Sequence, residues 1–253
     1  MTPGRPRGAP RTVDPVDAAV RALGDRNARP DRTWIRHLSG ATGDAVDAVL
    51  AESDELVPLE EHIRAAYRAA GRTNCAQIRA PLELYALARL LRPSAVVELG
   101  VSSGVSSAHF LAALARNGTG RLHSIDLPTF QKHATLGPRE SPVAVPLGRS
   151  SGWAVPPTLR RRWDLRLGRS EELLPRLVEE LPEIRLFLHD DLHTPRHLTF
   201  ELTTVRPRLA EGAVVLADNT RWTGRAFDRF AARERAVVRR RRGTDLVGAR
   251  LAG

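Results

Sequence analysis

Apolar and polar positions change their period along the chain, and these changes predict where strands and helices lie. Ala95–Leu99 is a short apolar run rich in β-branched residues, which is typical of a buried strand. From about Val105 to Leu114 the apolar positions recur at helical spacing. Arg121–Asp126 again has the pattern of a strand. The stretch therefore predicts a strand, a turn of small residues, a helix and a second strand.

The same alternation of strands and helices returns later in the chain. Strands are predicted at 164–167, 184–189 and 212–217, helices at 171–181, 195–209 and 224–232, and a final pair of strands near 236–239 and 246–251. Helices are also predicted at 31–38, 43–50, 58–70 and 81–91. This order indicates an α/β fold with a doubly wound, mostly parallel sheet of Rossmann-like type.

Three regions follow from these patterns. Residues 1–13 are rich in proline, glycine and arginine, so we expect them to be disordered. Residues 14–75 are expected to form a helical N-terminal cap, which would complete a substrate pocket or make a dimer contact. Residues 76–253 are expected to form the main domain.

The main domain contains one long interruption. Residues 127–163 hold many prolines and glycines and are too long for an ordinary connection between strands. Within this connection, Gly148–Trp153 combines small residues with an aromatic side chain. Two interpretations stay open: a lid over a bound substrate, or a surface excursion packed by Trp153.

Composition narrows the class of protein. The chain has 253 residues with 42% hydrophobic content, and it contains neither an apolar run long enough to span a bilayer nor the apolar core of a signal peptide. A single cysteine excludes a disulfide framework within the chain and a cysteine-based zinc cluster. We therefore expect a cytoplasmic protein without a membrane partner.

The net charge of +10 raises nucleic acid as a candidate partner. The basic residues are nearly all arginine, with Lys132 the single lysine, and they are spread along the chain. Aromatic residues make up only 5% and do not interleave with the arginine clusters at 160–162 and 239–242, so a stacking platform for nucleic acid is poorly supported. The expected partner is a small molecule, and a homo-oligomer stays open.

The first predicted turn has the features of a nucleoside site. Gly100 and Gly104 let the backbone approach a ligand, and the following helix offers unpaired N–H groups. Asp126 ends the second predicted strand, where an acid accepts hydrogen bonds from ribose hydroxyls. The spacing is Gly-x-x-x-Gly rather than the Gly-x-Gly-x-x-Gly of dinucleotide folds. With Glu98, this pattern resembles the first motif of class I methyltransferases that use S-adenosylmethionine (SAM).

The resemblance implies SAM as the cofactor and a set of residues around it. These are Glu98, Gly100, Ser102 and Ser106 at the methionine end, Asp126 at the ribose and Ser170 by the adenine. The three serines have an alternative role as turn and helix-cap residues.

Polar residues also follow two later strands. Asp190, Asp218 and Asn219 offer two carboxylates and one amide, and neighbouring parallel strands would bring them to one edge of the sheet. Such oxygens suit Mg²⁺ or another hard divalent cation. Asp218 and Asn219 are also common turn residues that could simply cap the next segment.

Phe187–Thr194 together with Leu216–Asn219 resembles the metal-dependent O-methyltransferases. This group includes catechol and caffeoyl-CoA enzymes, macrolide-sugar methyltransferases and cephalosporin-hydroxylase-like proteins, and the similarity covers roughly residues 80 to 235. It implies that Asp190, Asp218 and Asn219 bind Mg²⁺ and that His193 is the general base. Catechol-type members use a lysine nearby, and this chain has none there.

The resulting hypothesis is an O-methyltransferase that acts on a sugar hydroxyl or phenol of a small molecule in natural-product tailoring. A metal-independent methyltransferase, including one for RNA, and a non-catalytic SAM-binding homologue are the alternatives. His189 is predicted to be a hydrogen-bonded core histidine. Asp191 is expected either to face solvent or to support the metal site from behind.

Overall fold

The structure, a computed structural model, describes residues 30–70, 80–130, 144–146 and 148–252. The predicted disorder of residues 1–13 and the start of the predicted cap lie outside these described residues.

The described residues contain α-helices on both sides of one large sheet. The helices are α1 (Arg32–Ser39), α2 (Gly43–Leu50), α3 (Val57–Ala69), α4 (Pro81–Leu91), α5 (Val105–Asn117), α6 (Ser170–Glu180), α7 (Pro195–Val205) and α8 (Ala226–Arg233). The strands are β1 (Ala95–Leu99), β2 (Arg121–Asp126), β3 (Thr129–Phe130), β4 (Ala144–Val145), β5 (Trp163–Leu167), β6 (Ile184–His189), β7 (Leu209–Ala217), β8 (Val238–Arg240) and β9 (Val247–Arg250).

Seven strands form the large sheet in the order β5-β2-β1-β6-β7-β9-β8. The first five are mutually parallel, and β9 runs antiparallel to both β7 and β8. The predicted α/β class, the mostly parallel sheet and the terminal pair of strands are thus confirmed. The strand order reverses between β1 and β6, and ligands in such sheets bind outside the carboxyl ends at this point.

Apolar side chains on the two faces of the sheet form two separate cores. Helices α4 and α5 cover one face, and α6, α7 and α8 cover the other. All five residues of β1 are buried, which explains why its sequence is continuously apolar apart from Glu98. The strand ends are therefore held in place from both sides, so their carboxyl ends form a rigid edge.

The N-terminal helices extend the layer on the α4 side. Helices α1 and α2 pack against α4, and the Trp34 indole donates a hydrogen bond to the Arg239 carbonyl at 3.0 Å in β8. Helix α3 lies closer to the turn after β1, because the Tyr67 hydroxyl donates to Ser103 Oγ at 2.7 Å. The part of the predicted cap that is described thus covers one sheet face.

The connection from β2 to β5 is packed where it is described. It contains β3 and β4, which pair in parallel, and a 3₁₀ helix at Pro157–Arg162. Residues 151–155 are buried, and the ring centroid of Trp153 lies 4.9 Å from that of Tyr67. Trp153 thus packs this stretch against α3, and the lid over a bound substrate stays a prediction.

Most predicted boundaries agree with the structure to within a few residues. The largest difference is the helix expected at 195–209, which ends at Val205. Residues Arg206–Arg208 form a 3₁₀ turn around Pro207, which lacks the N–H that would continue the helix. None of the described helices is both long and apolar enough to cross a membrane.

Candidate active site

The carboxyl ends of the parallel strands are aligned by a row of backbone hydrogen bonds that continues past the strands. The bonds run from Gly168 N to Asp126 O (2.9 Å), from Gly100 N to Ile125 O (3.0 Å), from Asp190 N to Leu99 O (2.8 Å) and from Asp218 N to His189 O (3.0 Å). The residues that follow these strands consequently lie along one edge.

The two glycines of the first turn make room for neighbouring protein. Gly100 has φ +86°, and a Cβ there would lie 2.0 Å from the Asp190 carbonyl oxygen. Gly104 has φ +89°, and its Cβ would lie 2.6 Å from Val155 Cγ2. The sequence interpretation, in which these glycines admit a ligand, is therefore incomplete, because both Cβ directions point at other parts of the chain.

Asp126 faces this turn from the end of β2. Its Oδ1 accepts a hydrogen bond from the Val101 N–H at 2.9 Å, and the Ser151 hydroxyl donates to its Oδ2. Burial raises the pKa of the Asp126 carboxyl, against the effect of these hydrogen bonds. The carboxylate lies where the sequence predicts a ribose-binding acid, half-buried beside the turn.

Glu98 lies beneath the turn and is fully buried. Its Oε2 accepts hydrogen bonds from Ser107 Oγ at 2.6 Å and from Ser124 Oγ at 2.7 Å, whereas Oε1 has no partner. Burial raises the pKa of Glu98 to about 7 despite the serine hydroxyls. Ser106 is buried in the first turn of α5, and Ser102 is half-buried with φ +51°.

The other predicted site residues meet after β6 and β7. His193 Nε2 lies 3.4 Å from Asp190 Oδ1, and the Asn219 amide nitrogen lies 3.4 Å from the same His193 atom. This contact uses the amide nitrogen of Asn219 and leaves its Oδ1 for another partner. All three side chains are half-buried.

Asp218 completes this group and is buried. Burial and then the negative charge of Asp190 raise the pKa of Asp218 to about 7. Both influences oppose the ionised carboxylate, and a divalent cation between the two acids would compensate both. The donor set of two carboxylates and an amide oxygen therefore fits a hard cation such as Mg²⁺.

A second group of charged residues lies behind this centre, and sequence reasoning missed half of it. His189, Asp191, His197 and Glu201 form a ring in which each carboxylate lies within 3.2 Å of both imidazoles, with hydrogen bonds between His189 and Glu201 and between His197 and Asp191. His189 Nδ1 lies 2.6 Å from Glu201 Oε2 and 3.2 Å from Asp191 Oδ1, and His197 Nε2 lies 3.1 Å from Asp191 Oδ2 and 2.9 Å from Glu201 Oε1.

The ring balances its own charge. Burial disfavours protonated imidazole, but the two carboxylates outweigh it and raise the pKa of His189 and of His197 to about 10. Burial, followed by the charge of Asp191, raises the pKa of Glu201. Donor atoms of His189, Asp191 and Glu201 lie within 4.8 Å of one another, a spacing at which they could also hold a metal ion.

The contacts of the ring bear on the sequence predictions for His189, Asp191 and Ser170. His189 is confirmed as a hydrogen-bonded core histidine, and Asp191 points inward rather than to solvent. Ser170 Oγ lies 3.2 Å from Asp191 Oδ2 and 2.9 Å from His197 Nε2, so its hydroxyl is engaged here, and the adenine contact stays a prediction. The available signal was the spacing of four between His197 and Glu201 on a predicted helix.

Comparisons with known proteins agree with this geometry. Residues 97–220, which include the carboxyl ends of β1, β2, β5, β6 and β7, match a family model described as a methyltransferase domain. No curated protein matches the chain.

Solved structures share the fold at low sequence identity. An O-methyltransferase from Bacillus cereus in complex with SAH is 16% identical, covers 82% of this chain and 97% of its own, and has a TM-score of 0.54. TomG from Streptomyces achromogenes, an O-methyltransferase of tomaymycin synthesis in complex with SAM, is 22% identical, with coverages of 77% and 89% and a TM-score of 0.53. The calicheamicin methyltransferase CalS11 is 18% identical, with coverages of 99% and 98% and a TM-score of 0.51.

Proposed function

We propose that this chain, which carries a class I SAM-dependent methyltransferase domain, transfers a methyl group to a hydroxyl of a small molecule with the help of a divalent cation. The observation that supports the cation most is the buried Asp218 beside Asp190. These two acids, with Asn219, would hold the ion. They lie on strand ends next to the turn that would hold SAM.

The residues of the turn fit SAM in two respects. Asp126 is a half-buried acceptor at the end of β2, where a ribose hydroxyl is expected. Glu98 Oε1 is a buried oxygen without a hydrogen-bond partner and would receive the ammonium of the methionine moiety. Gly100, Ser102 and Ser106 would surround that end, and Ser170 would lie by the adenine.

The chain's own contribution to the chemistry is positioning and proton transfer. When bound, SAM supplies an electrophilic methyl group, and a divalent cation lowers the pKa of an acceptor hydroxyl. His193 lies within 3.4 Å of both Asp190 and Asn219, so its imidazole is placed to take the hydroxyl proton. The rigid strand edge would hold acceptor and donor in line, which is the main requirement of methyl transfer.

The acceptor class follows from the same centre. A small hydroxylated molecule, either a sugar or a phenol, would reach the cation through the half-buried side of Asp190 and Asn219. Nucleic acid is not part of this proposal, because the arginine-rich composition carries no aromatic platform. We further propose a cytoplasmic setting, with homo-oligomers open.

Calorimetric titration of Mn²⁺ into the protein with SAH present tests the cation centre. Asp218→Asn removes one charged ligand, and we expect it to weaken Mn²⁺ binding at least tenfold. Asp228→Asn is the matched control, since this α8 carboxylate lies 3.9 Å from Arg240 at the surface, and it should leave the affinity unchanged. Equal affinities in both variants would remove the metal assignment.

Turnover on a panel of sugar and phenol acceptors then tests the base. His193→Ala should lower kcat by about 10²–10⁴-fold, the usual contribution of a general base. Turnover that persists in EDTA would indicate the metal-independent alternative. SAH binding without turnover on any acceptor would instead favour a non-catalytic SAM-binding protein.

A further inference from the structure

The long connection from β2 to β5 reaches the carboxylate that would hold the ribose. Ser151 is fully buried, and its hydroxyl donates to Asp126 Oδ2. The other oxygen, Oδ1, accepts from the Val101 N–H at 2.9 Å. Each oxygen of Asp126 thus has a donor from the protein, and the donor on Oδ2 comes from the long connection.

Backbone hydrogen bonds attach this segment to the turn. Gly152 N donates to the Ser102 carbonyl at 2.8 Å, and Ala154 N donates to the Ser103 carbonyl at 3.0 Å. The Arg160 guanidinium in turn donates to the Gly152 carbonyl at 2.8 Å. The backbone on the C-terminal side of Ser151 is therefore tied directly to the residues of the cofactor turn.

Side-chain packing fixes the same segment from three sides. Val155 fills the space beside Gly104, Trp163 fills the space beside Gly152, and Trp153 packs on Tyr67 of α3. By contrast, residues 148–150 just before it are exposed. Ser151 consequently sits at the first fixed position of the segment, where its hydroxyl has a defined place.

We propose that Ser151 is a positioning residue of the SAM site, which sets the orientation of the Asp126 carboxylate for the two ribose hydroxyls. This inference rests on the cofactor part of the proposed function and is independent of the cation and the acceptor. A carboxylate accepts about four hydrogen bonds. The protein donors use only part of this capacity, so the carboxylate keeps acceptor positions for the hydroxyls of a nucleoside cis-diol.

The proposal also gives the long connection a role. Burial raises the pKa of Asp126, and hydrogen bonds from Ser151, Val101 and Ser102 oppose that effect. A buried serine placed by a fixed segment supplies one of these bonds without adding charge. The connection would thus serve as a wall of the cofactor site rather than as a lid.

Calorimetry with SAH tests the proposal. Ser151→Ala should weaken SAH binding about tenfold, because a hydrogen bond to a charged group is lost. Ser150→Ala is the matched control, since the neighbouring serine is exposed, and it should bind SAH within twofold of the unmodified protein. Ser151→Cys keeps the volume but offers only a weak donor, so it should resemble Ser151→Ala and serves if that variant does not fold.

A second measurement separates positioning from general stability. With 2′-deoxy-SAH the unmodified protein should lose affinity, and Ser151→Ala should lose much less, because the ribose contact is already impaired. The combination with Asp126→Asn should likewise be non-additive. SAH affinities of Ser151→Ala and Ser151→Cys equal to that of Ser150→Ala would overturn the inference. Absence of SAH binding by the unmodified protein would instead overturn the cofactor assignment itself.

Discussion

The candidate site has a cofactor half around Asp126 and a cation half around Asp190 and Asp218, and buried carboxylates are stabilised differently in the two halves. In the cofactor half, Asp126 receives neutral hydrogen-bond donors from the turn and from the connection after β2. In the cation half, Asp218 and Asp190 oppose each other, and the pKa of Asp218 rises to about 7. Both oxygens of Asp126 are therefore stabilised by protein donors, whereas the two acids of the cation half oppose each other.

The charged residues behind the cation half explain how Asp190 is held in place. Directly behind the cation half, the ring of His189, Asp191, His197 and Glu201 pairs equal numbers of positive and negative groups. Asp190 follows His189 and precedes Asp191, so the ring holds the backbone on both sides of it. The paired charges of the ring support the loop after β6, and Asp190, which lies between two members of the ring in sequence, faces the candidate cation site.

The largest loss of stability is expected when one carboxylate of the ring is removed. Glu201→Ala leaves two buried imidazoles with one carboxylate, and removal of one partner from a buried ionic group costs about 3–5 kcal/mol. Denaturant unfolding should show that loss in the free energy of unfolding. Glu172→Ala on the exposed side of α6 is the control and should change stability by less than about 0.5 kcal/mol.

The same variant sharpens the comparison of the two halves. Where Glu201→Ala remains folded, Mn²⁺ binding should weaken more than SAH binding, because the ring flanks Asp190 directly and reaches the cofactor half only through Ser170. A loss of stability below about 1 kcal/mol would show that the ring contributes little. Equal losses of SAH and Mn²⁺ affinity would show that the halves are not separable.

A smaller effect, with a defined pH dependence, is expected at Glu98. Burial raises its pKa from the ordinary 4.5 to about 7. A raised pKa means that its contribution to stability is fully present below about pH 4.5 and is lost as pH rises through 7. Glu98→Gln removes this loss, so its stability relative to the unmodified protein should increase from pH 5 to pH 8, by up to roughly 3 kcal/mol.

Unfolding curves at several pH values measure this difference. Glu172→Gln, at an exposed position, should show no such trend. A constant difference between Glu98→Gln and the unmodified protein from pH 5 to pH 8 would contradict the expected protonation of Glu98.

Local patterns were sufficient to predict the fold and the neighbourhood of the site. The apolar run of β1, the small residues after it and Asp126 at the end of β2 identified the turn, because each depends on residues close in sequence. Asp190, His193, Asp218 and Asn219 were predicted from strand ends, and parallel neighbours do bring them together.

The remaining features depend on contacts between residues far apart in sequence. Ser151 and Asp126 are 25 residues apart and meet only because the connection folds back on the turn. Glu201 reaches His189 from the next helix, across 12 residues. Neither contact leaves a periodic signal, so the sequence could mark the serine-rich stretch and the histidines without assigning partners to them.

The smallest predicted effect concerns the link between the cofactor half and the N-terminal helices. The buried Tyr67 hydroxyl donates to Ser103 Oγ at 2.7 Å, so Tyr67→Phe should cost about 1 kcal/mol of stability and weaken SAH binding by roughly fivefold or less. Tyr85→Phe is the matched control, because that buried hydroxyl bonds Glu52 at 2.5 Å, away from the turn. It should lower stability, measured by denaturant unfolding, and leave calorimetric SAH affinity unchanged. If both variants changed SAH affinity equally, the effect would come from general loosening of the helical layer rather than from the Tyr67 contact.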